Sequence, residues 1–524
     1  LSCRGGHCVG GRGEPGEQRG EEEGIRNRRE VLKRRWMGSG AARLEHMSGA
    51  RAAGNSDSLI GGGSGKPWRL GYQSVQQNSL SSDSLRVSGR WPAALQGSFY
   101  RNMPARFERG GQRYQHWFDG DGMLQAFRLN GGSIAHHGRF IETHKFRVDE
   151  RAGRLLTPAF GTRLAGMEAV SAPDDMNVAN VSVTWHGERL MSLWDAGSAW
   201  ELDPRTLDTI GPVTWRDDLQ GVSFSAHPRK DPDGSLWNFG AAGQMLVIYH
   251  IAADGTLKKA EGIPVPDLPM VHDFAVTERH LIFLLPPMVM EVDRYAAGHS
   301  VLDSYHWHGD QPMRILTMDK NDWSKQRWYE LPPGFVFHLG NAWEEAGGTI
   351  RFDYLRYADA RVLTESFREV MTGDYVDGHH AQLAQVTLYP SGRAEQALLP
   401  GNCEFPTLDP RAIGQRQRYL VLAEATGDIS HPGFNALRRI DLNRQNEQHY
   451  RFDEGIIVEE HLVIPKTADA PEGDAWLLGT VLDTKAGITR LTLFDAAHLQ
   501  DGPIAQAALP YSLPLGFHGH FVRS

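Results

Sequence analysis

Cysteine is scarce in this chain, and its scarcity excludes two kinds of architecture. Only three cysteines occur in 524 residues: Cys403, and Cys3 and Cys8 in an unusual N-terminal segment. They are too few for a disulfide framework and too scattered for a cysteine-rich zinc site. The sequence therefore predicts a protein of a reducing compartment, the cytoplasm.

An excess of positive charge and a long apolar run are also missing. Lys and Arg number 55 against 64 Asp and Glu, a formal net charge of −9, whereas proteins that bind nucleic acid normally present a basic face. No stretch approaches the roughly 18 apolar residues that a membrane-spanning helix needs. We therefore expect neither a nucleic-acid partner nor a transmembrane helix.

The N-terminal segment 1–65 is rich in Gly, Arg and Glu and poor in large apolar side chains. Such a composition does not bury enough apolar surface to fold. It has no apolar core of a secretory signal, and its acidic run at 21–23 is atypical of a transit peptide. We predict a disordered leader, 1–65, and one folded domain, 66–524. The leader does not begin with Met, and Met37 and Met47 are candidate starts, so part of it is expected not to be native.

Beyond the leader the sequence reads as short strands separated by turns, and convincing amphipathic helices are scarce. Apolar and β-branched runs bounded by Gly, Asp, Asn or Pro occur at 190–193, 245–251, 349–354, 383–389 and 475–481. These are strand and hairpin signals, and the best helical candidate is the short segment 359–372. Repeated strand–turn units without a linker favour one closed all-β body, for which a β-propeller is a solution of suitable size.

Four of the 23 histidines stand out because each adjoins an apolar, strand-like run. An imidazole in such surroundings needs a polar partner. The four are His227, His272, His338 and His518. Their spacing contains no local metal motif such as His-Glu-x-x-His, and each alone is more simply interpreted as a hydrogen-bonded core histidine. The residues by themselves indicate only that four inward histidines from different blades could converge on a propeller axis.

The segments around these histidines resemble the four histidine motifs of the carotenoid cleavage oxygenase family. They read Phe-Ser-Ala-His-Pro-Arg, Val-His-Asp-Phe, Gly-Phe-Val-Phe-His and Leu-Gly-Phe-His-Gly. The N-terminal segments 97–102 (Gly-Ser-Phe-Tyr-Arg-Asn) and 118–123 (Phe-Asp-Gly-Asp-Gly-Met) resemble family signatures as well. These six motifs follow the family's order over nearly the whole folded domain, and within the family the chain looks most like bacterial apocarotenoid and stilbene oxygenases.

This resemblance implies a fold, a cofactor and a reaction. The fold would be a seven-bladed β-propeller with a helical and loop cap over its metal face. One Fe(II) would lie on the axis, held by His227, His272, His338 and His518. The reaction would be O2-dependent cleavage of a conjugated C=C bond into two carbonyl products. Neutral imidazoles suit Fe(II), and four of them leave one or two positions open in an octahedral field.

In the family three acidic residues accept the second ring N–H of a histidine ligand, which fixes its orientation. Glu404 and Glu460 resemble two of them, although His461 stands where the family usually has Pro. At the third position Asp195 replaces the usual Glu, and because Asp is one methylene shorter we expect a longer or water-bridged contact. Val181 replaces a Thr that limits access to an open metal position, and its similar shape would preserve that steric role.

The substrate class is open at this point. The apolar run 284–290 resembles a nonpolar patch through which relatives take polyenes from a membrane, which implies peripheral membrane contact; a buried strand with a proline turn is an equally good interpretation. Relatives that cleave hydroxystilbenes bind the phenol with a Lys and a Tyr, which Lys145 and Tyr114 resemble. A surface lysine and a packed strand tyrosine are equally good interpretations. We place a carotenoid or apocarotenoid ahead of a stilbene because of the apolar run, and a non-catalytic binding propeller third.

Overall fold

The structure, a computed structural model, describes residues 65–376 and 378–524. The predicted leader therefore lies outside the described residues, except for Gly65. Within them the chain forms seven antiparallel sheets of four or five strands each, together with two two-stranded ribbons. The predicted all-β class and seven-bladed β-propeller are confirmed.

The strands follow one another along the chain in blade-sized groups. The N-terminal group contains β1 (Ser79–Ser82), β2 (Arg86–Gly89), β3 (Gly97–Arg106), β4 (Glu108–Arg109), β5 (Gln112–Arg113), β6 (Asp121–Asn130) and β7 (Ser133–Phe140). The next two groups are β8 (Ser182–His186), β9 (Arg189–Leu193), β10 (Trp200–Leu202) and β11 (Thr209–Pro212), then β12 (Arg229–Lys230), β13 (Leu236–Ala242), β14 (Met245–Ile251) and β15 (Leu257–Pro264).

The middle of the chain supplies three further groups. They are β16 (Phe274–Val276), β17 (His280–Leu285), β18 (Met288–Met290), β19 (Tyr305–Trp307), β20 (Met313–Asp319) and β21 (Gln326–Leu331); β22 (Phe335–Glu344), β23 (Ile350–Tyr357), β24 (Ala381–Leu388) and β25 (Ala394–Leu398); and β26 (Asn402–Thr407), β27 (Tyr419–Ala425), β28 (Ala436–Asp441) and β29 (Asn446–Arg451). The last strands are β30 (Ile456–Pro465), β31 (Ala475–Asp483), β32 (Ile488–Asp495), β33 (Ala505–Ala508) and β34 (Gly519–Arg523).

The two ends of the described chain close the ring together. The C-terminal β34 pairs with β3, as the innermost strand of the sheet β34-β3-β6-β7-β1. The N-terminal β2 pairs with β33, at the outer edge of the sheet β30-β31-β32-β33-β2. Each of these blades therefore contains strands from both ends, so backbone hydrogen bonds between the two ends of the described chain close the ring.

Apolar residues of adjacent sheets form the core between blades. At one such interface Phe99 and Phe127 pack against Leu478 and Leu491, and all four are fully buried. Burial of an apolar side chain of this size contributes about 1.5–3 kcal/mol. Repeated around the ring, this packing holds the innermost strands of the blades, β8, β12, β16, β22, β26, β30 and β34, around a common axis.

Helices and loops form the cap that the family resemblance implied. The α-helices are α1 (His144–Ala152), α2 (Val292–Ala296) and α3 (Phe367–Thr372), and a π-helical turn (Val362–Ser366) precedes α3. Short 3-10 turns occur at Pro67–Tyr72, Trp117–Asp119, Pro173–Met176, Asp217–Leu219, Leu302–Ser304, Pro410–Ala412 and Ala496–Asp501. Among the described residues, no helix combines the length and the apolar character needed to cross a bilayer.

Candidate metal centre

The four histidines singled out in the sequence meet at the propeller axis. His338 lies within β22, and the other three lie one or two residues before the innermost strands β12, β16 and β34. One ring nitrogen from each lies within 4.8 Å of the others. The Nε2–Nε2 separations are 2.9 Å between His227 and His272, 3.3 Å between His272 and His338, and 3.0 Å between His338 and His518.

Three of the four imidazoles contact a carboxylate through Nδ1. The distances are 2.9 Å from His272 to Asp195, 2.5 Å from His338 to Glu404, and 2.8 Å from His518 to Glu460. Glu404 and Glu460 lie on the innermost strands β26 and β30, and Asp195 follows β9. The shorter Asp195 side chain therefore contacts its histidine directly, contrary to the expected longer or water-bridged contact.

The donor set fits a metal ion. An Nδ1–H that donates to a carboxylate leaves the lone pair on Nε2, and these Nε2 atoms face one another at 2.9–3.3 Å. Facing lone pairs repel unless a cation lies between them. Neighbouring donors at about 2.1 Å from an octahedral metal would themselves be about 3.0 Å apart. The spacing and the neutral imidazole donors therefore suit a divalent transition metal.

Burial and neighbouring charges shift the pKa values of three of these rings in different directions. Desolvation holds the pKa of His227 well below its usual value, and the adjacent imidazoles lower it further. Desolvation also lowers the pKa of His518, although Glu460 opposes the shift. At His338 desolvation is opposed by the carboxylates of Glu404, Asp273 and Glu460, which together raise the pKa. Of these three rings, a proton therefore competes with a metal most strongly at His338 and least at His227.

The histidines separate two cavities of different character. His272, His338 and His518 line an apolar cavity on the cap side, whose aromatic wall comprises Trp117, Phe118, Phe337, Phe367, Phe405, Phe434 and Phe517. His227, His338 and His518 line a second cavity, whose wall also carries the charged side chains of Arg229, Lys230 and Asp273. The cap-side cavity, with its aromatic wall, is therefore the one better suited to an apolar substrate.

Val181 lies beside the histidines, in the wall of the cap-side cavity. It is 5% exposed, and its carbonyl oxygen accepts a hydrogen bond of 3.2 Å from the backbone N–H of His518. Its two methyl groups are therefore held next to a candidate ligand. This position agrees with a steric role.

The structure brings Lys145 and Tyr114 together, but away from the cap-side cavity. Lys145 Nζ donates to the Tyr114 hydroxyl and, at 2.6 Å, to Oδ2 of Asp149, one turn further along α1. All three side chains are almost completely buried, and none of them is in the wall of that cavity. The interpretation of Lys145 as a surface residue is wrong. Asp149 was not predicted, although its spacing of four residues from Lys145 is a helical pair signal.

His461, which departs from the family's usual Pro, supports the strand that carries Glu460. Its Nδ1–H donates to the carbonyl of Glu459 at 2.9 Å, and its Nε2 lies 2.7 Å from the hydroxyl of Thr492. The β30–β31 register shifts between Val458 and His461, a bulge that re-aims side chains. Gly479 lies opposite, where a Cβ would meet the Glu460 carbonyl at 2.3 Å. Only glycine leaves room for the bulge.

Comparison with known proteins identifies the family. A family model described as retinal pigment epithelial membrane protein (RPE65) matches residues 72–523. The chain belongs to the RPE65 family of carotenoid cleavage oxygenases. Membership confirms the family predicted from the histidine motifs, and with it the reaction class, oxygenative cleavage of a C=C bond.

Two relatives within the RPE65 family represent the two candidate substrate classes, apocarotenoids and stilbenes. The apocarotenoid-15,15'-oxygenase of Synechocystis is 28% identical over 87% of this chain and 96% of that protein. The lignostilbene-alpha,beta-dioxygenase isozyme III of Sphingomonas paucimobilis is 29% identical over 83% of this chain and 93% of that protein. The cobalt-substituted Synechocystis apocarotenoid oxygenase superimposes with a TM-score of 0.79 at 28% identity, covering 87% of this chain and 98% of that one. The two identities are too close to choose between the classes.

Replacement of Asp195 by Ala is expected to lower activity and metal affinity by about 10–100-fold, the usual effect of losing a partner that orients a metal-binding histidine. The direct 2.9 Å contact with His272 is the reason. The metal retained after chelator challenge and the initial cleavage rate would measure the loss. Asp195→Glu, which restores the family's usual residue, is the matched control and should keep both within a few-fold. An Asp195→Ala protein equal to wild type would show that the contact does not orient the ring.

Proposed function

We propose that this chain is an Fe(II)-dependent dioxygenase that cleaves a conjugated C=C bond of a carotenoid or apocarotenoid with O2, forming two carbonyl products. One Fe(II) per chain would be held by His227, His272, His338 and His518, with Asp195, Glu404 and Glu460 orienting three of the rings. The observation that carries the proposal is the convergence of these four histidines, three of which line the aromatic cap-side cavity.

The protein's own residues supply binding and orientation. Iron, when bound, supplies the chemistry of O2 activation. The aromatic wall binds an extended apolar chain by burial and excludes water from it. Asp195, Glu404 and Glu460 hold the Nδ1 protons, which keeps each Nε2 directed at the axis. Val181 narrows the space next to His518, so that one side of the centre is shielded from the substrate.

A hydroxystilbene is the alternative substrate, and the arrangement around Lys145 argues against it. A phenol would need the ammonium or the Tyr114 hydroxyl as a partner. Both already contact Asp149, at 2.6 Å and 3.3 Å, and lie outside the cavity wall. Capture of a phenol would therefore require a buried, satisfied ion pair to open, which is costly. This makes the apocarotenoid the better substrate class.

A non-catalytic binding propeller is the third candidate. Three carboxylates placed on the outer nitrogens of converging histidines argue against it, because a site that binds only an apolar ligand gains nothing from them. Iron content of the purified protein separates the two: about one Fe per chain supports the enzyme, and none after anaerobic loading supports the binding module.

The exposure of the segment after β17 bears on membrane contact and location. The substrate is an apolar polyene together with O2, and no nucleic acid is involved. The run 284–290 is not one continuous patch: β17 ends at Leu285, the prolines follow, and β18 begins at Met288. Leu284, Leu285 and Met288 are buried, whereas Val292 just beyond is 64% exposed. We propose a cytoplasmic protein whose peripheral membrane contact uses the residues just beyond this run, around the exposed Val292.

The substrate class is tested by product mass spectrometry after anaerobic iron loading, on a panel of apocarotenals and hydroxystilbenes. We expect apocarotenal cleavage, and we expect it to survive Tyr114→Phe within a few-fold, because apolar contact does not need the hydroxyl. A companion variant, Lys145→Met/Asp149→Asn, removes the ammonium without leaving a lone buried carboxylate. Efficient hydroxystilbene cleavage that either variant abolishes would replace the apocarotenoid by the stilbene alternative.

A further inference from the structure

Arg229 makes four hydrogen bonds that join the segments carrying three of the four histidines. It lies two residues after His227. Its Nε donates to the carbonyl of Phe274 at 2.9 Å, and its Nη1 and Nη2 donate to the carbonyls of Gly340 at 3.4 Å and Leu339 at 2.9 Å. Phe274 and Gly340 are the second residues after His272 and His338. The guanidinium therefore contacts equivalent positions beside each histidine.

Asp273 completes this arrangement. Its Oδ2 accepts a hydrogen bond of 2.6 Å from Nη2 of Arg229 and another of 2.8 Å from the backbone N–H of Leu339. Its Oδ1 accepts from the N–H of Phe274 at 2.7 Å. The carboxylate is 1% exposed and the Arg229 side chain 15%. A charged pair at this depth is held in one geometry, because charge-assisted bonds are short and directional.

His227 is the histidine that most needs such support. Within the described residues its ring contacts other imidazoles but no carboxylate. The strand that follows it, β12, has only two residues, which pair with Trp237 and Leu236. By contrast His338 lies inside the ten-residue strand β22. Neither an acidic partner nor a long strand fixes the position of His227.

We propose that Arg229, held by Asp273, is a positioning residue that sets the mutual spacing of His227, His272 and His338. For His227, which has no carboxylate partner among the described residues, Arg229 would fix the position that a carboxylate fixes for the other histidines. This rests on the proposed four-histidine iron centre. The planar guanidinium presents several donors in a fixed fork, which a lysine cannot reproduce. Charge alone is therefore insufficient, and Arg229→Lys separates charge from geometry.

The test uses the full chain and measures metal binding directly. Fe(II) affinity of wild type and Arg229→Lys is determined anaerobically by chelator competition, and the visible absorption of the Co(II)-loaded proteins reports the ligand geometry. Arg438→Lys is the matched control. Arg438 is also buried and contacts Glu447, at 2.6 Å, and the carbonyl of Pro400, at 2.8 Å, but it lies on β28, away from the axis.

We expect Arg229→Lys to lower Fe(II) affinity by about 10–100-fold, as outer partners of metal ligands do, and to alter the Co(II) spectrum, while Arg438→Lys changes neither. Equal affinity and an unchanged spectrum in Arg229→Lys would overturn the proposal. Equal losses in both variants, matching equal falls in the melting temperature of the metal-free proteins, would also overturn it by assigning Arg229 a general structural role. A wild-type protein that binds no metal would instead overturn the iron centre itself.

Discussion

His338→Ala is expected to leave a folded propeller that retains no iron and has no measurable cleavage activity. His338 Nε2 lies 3.3 Å from that of His272 and 3.0 Å from that of His518, so its removal takes a donor from the middle of the set. Three imidazoles would hold a metal ion less tightly than four. Iron per chain, measured after anaerobic loading and desalting, should fall from about one to background.

The same loss of iron or activity is expected for Ala at 227, 272 and 518, and a surface histidine provides the control. His449 contacts two carboxylates, Glu424 at 2.8 Å and Glu447 at 3.1 Å, yet its side chain is 44% exposed. His449→Ala should bind iron and cleave substrate as wild type does. The folded state of each variant is checked by its circular dichroism spectrum. Full activity with stoichiometric iron in His338→Ala would refute the four-histidine assignment.

The strands of the propeller were largely predictable because turns mark them. The predicted strand 245–251 coincides with β14 (Met245–Ile251), which is followed by the turn Asp254-Gly255. The predicted strand 349–354 ends three residues before β23 (Ile350–Tyr357) does, because Leu355, Arg356 and Tyr357 contain no turn residue that marks where the strand stops. The predicted helix 359–372 is instead a π-helical turn, Val362–Ser366, followed by α3.

Helix α1 was missed, and with it the environment of Lys145. Most of its residues are charged or polar, so no apolar stripe was visible. Its ends are nevertheless marked: the Thr143 hydroxyl accepts the N–H of Phe146, and Gly153 adopts a left-handed φ of 62°. A cap signal at each end was the available evidence. Charged residues on both the buried and the exposed face cancelled the periodicity on which helix prediction depends.

The spacing of the four histidines in the sequence does not predict that they converge. Histidines whose rings nearly touch are 45, 66 and 180 residues apart in the chain, because each comes from a different blade. No local motif connects them. Their apolar surroundings singled them out, but only the resemblance to family motifs indicated that they form one set of ligands. The direct contact between Asp195 and His272 was not predictable either. The distance between the two side chains depends on the position of the backbone after β9, and the sequence shows only that the Asp side chain is short.

Lys145→Met is expected to destabilise the protein by about 3–5 kcal/mol, the usual cost of breaking a buried ion pair from one side. Lys145 Nζ and Asp149 Oδ2 are 2.6 Å apart and both side chains are fully buried. Without the ammonium, the carboxylate keeps only the Tyr114 hydroxyl and the backbone N–H groups of Leu156 and Thr157, at 2.9 Å each, as partners. The free energy of unfolding from denaturant titration measures the loss.

Two companion variants show whether burial and charge are the cause. Lys145→Met/Asp149→Asn removes both charges and keeps an acceptor for Leu156 and Thr157, so most of the stability should return. Lys485→Met breaks an ion pair of 2.8 Å whose side chains are 61% and 82% exposed, and should leave stability unchanged. If Lys145→Met were as stable as wild type, Lys145 would not depend on Asp149. Its ammonium would then be free to bind a phenol. The buried ion pair would no longer argue against a hydroxystilbene substrate.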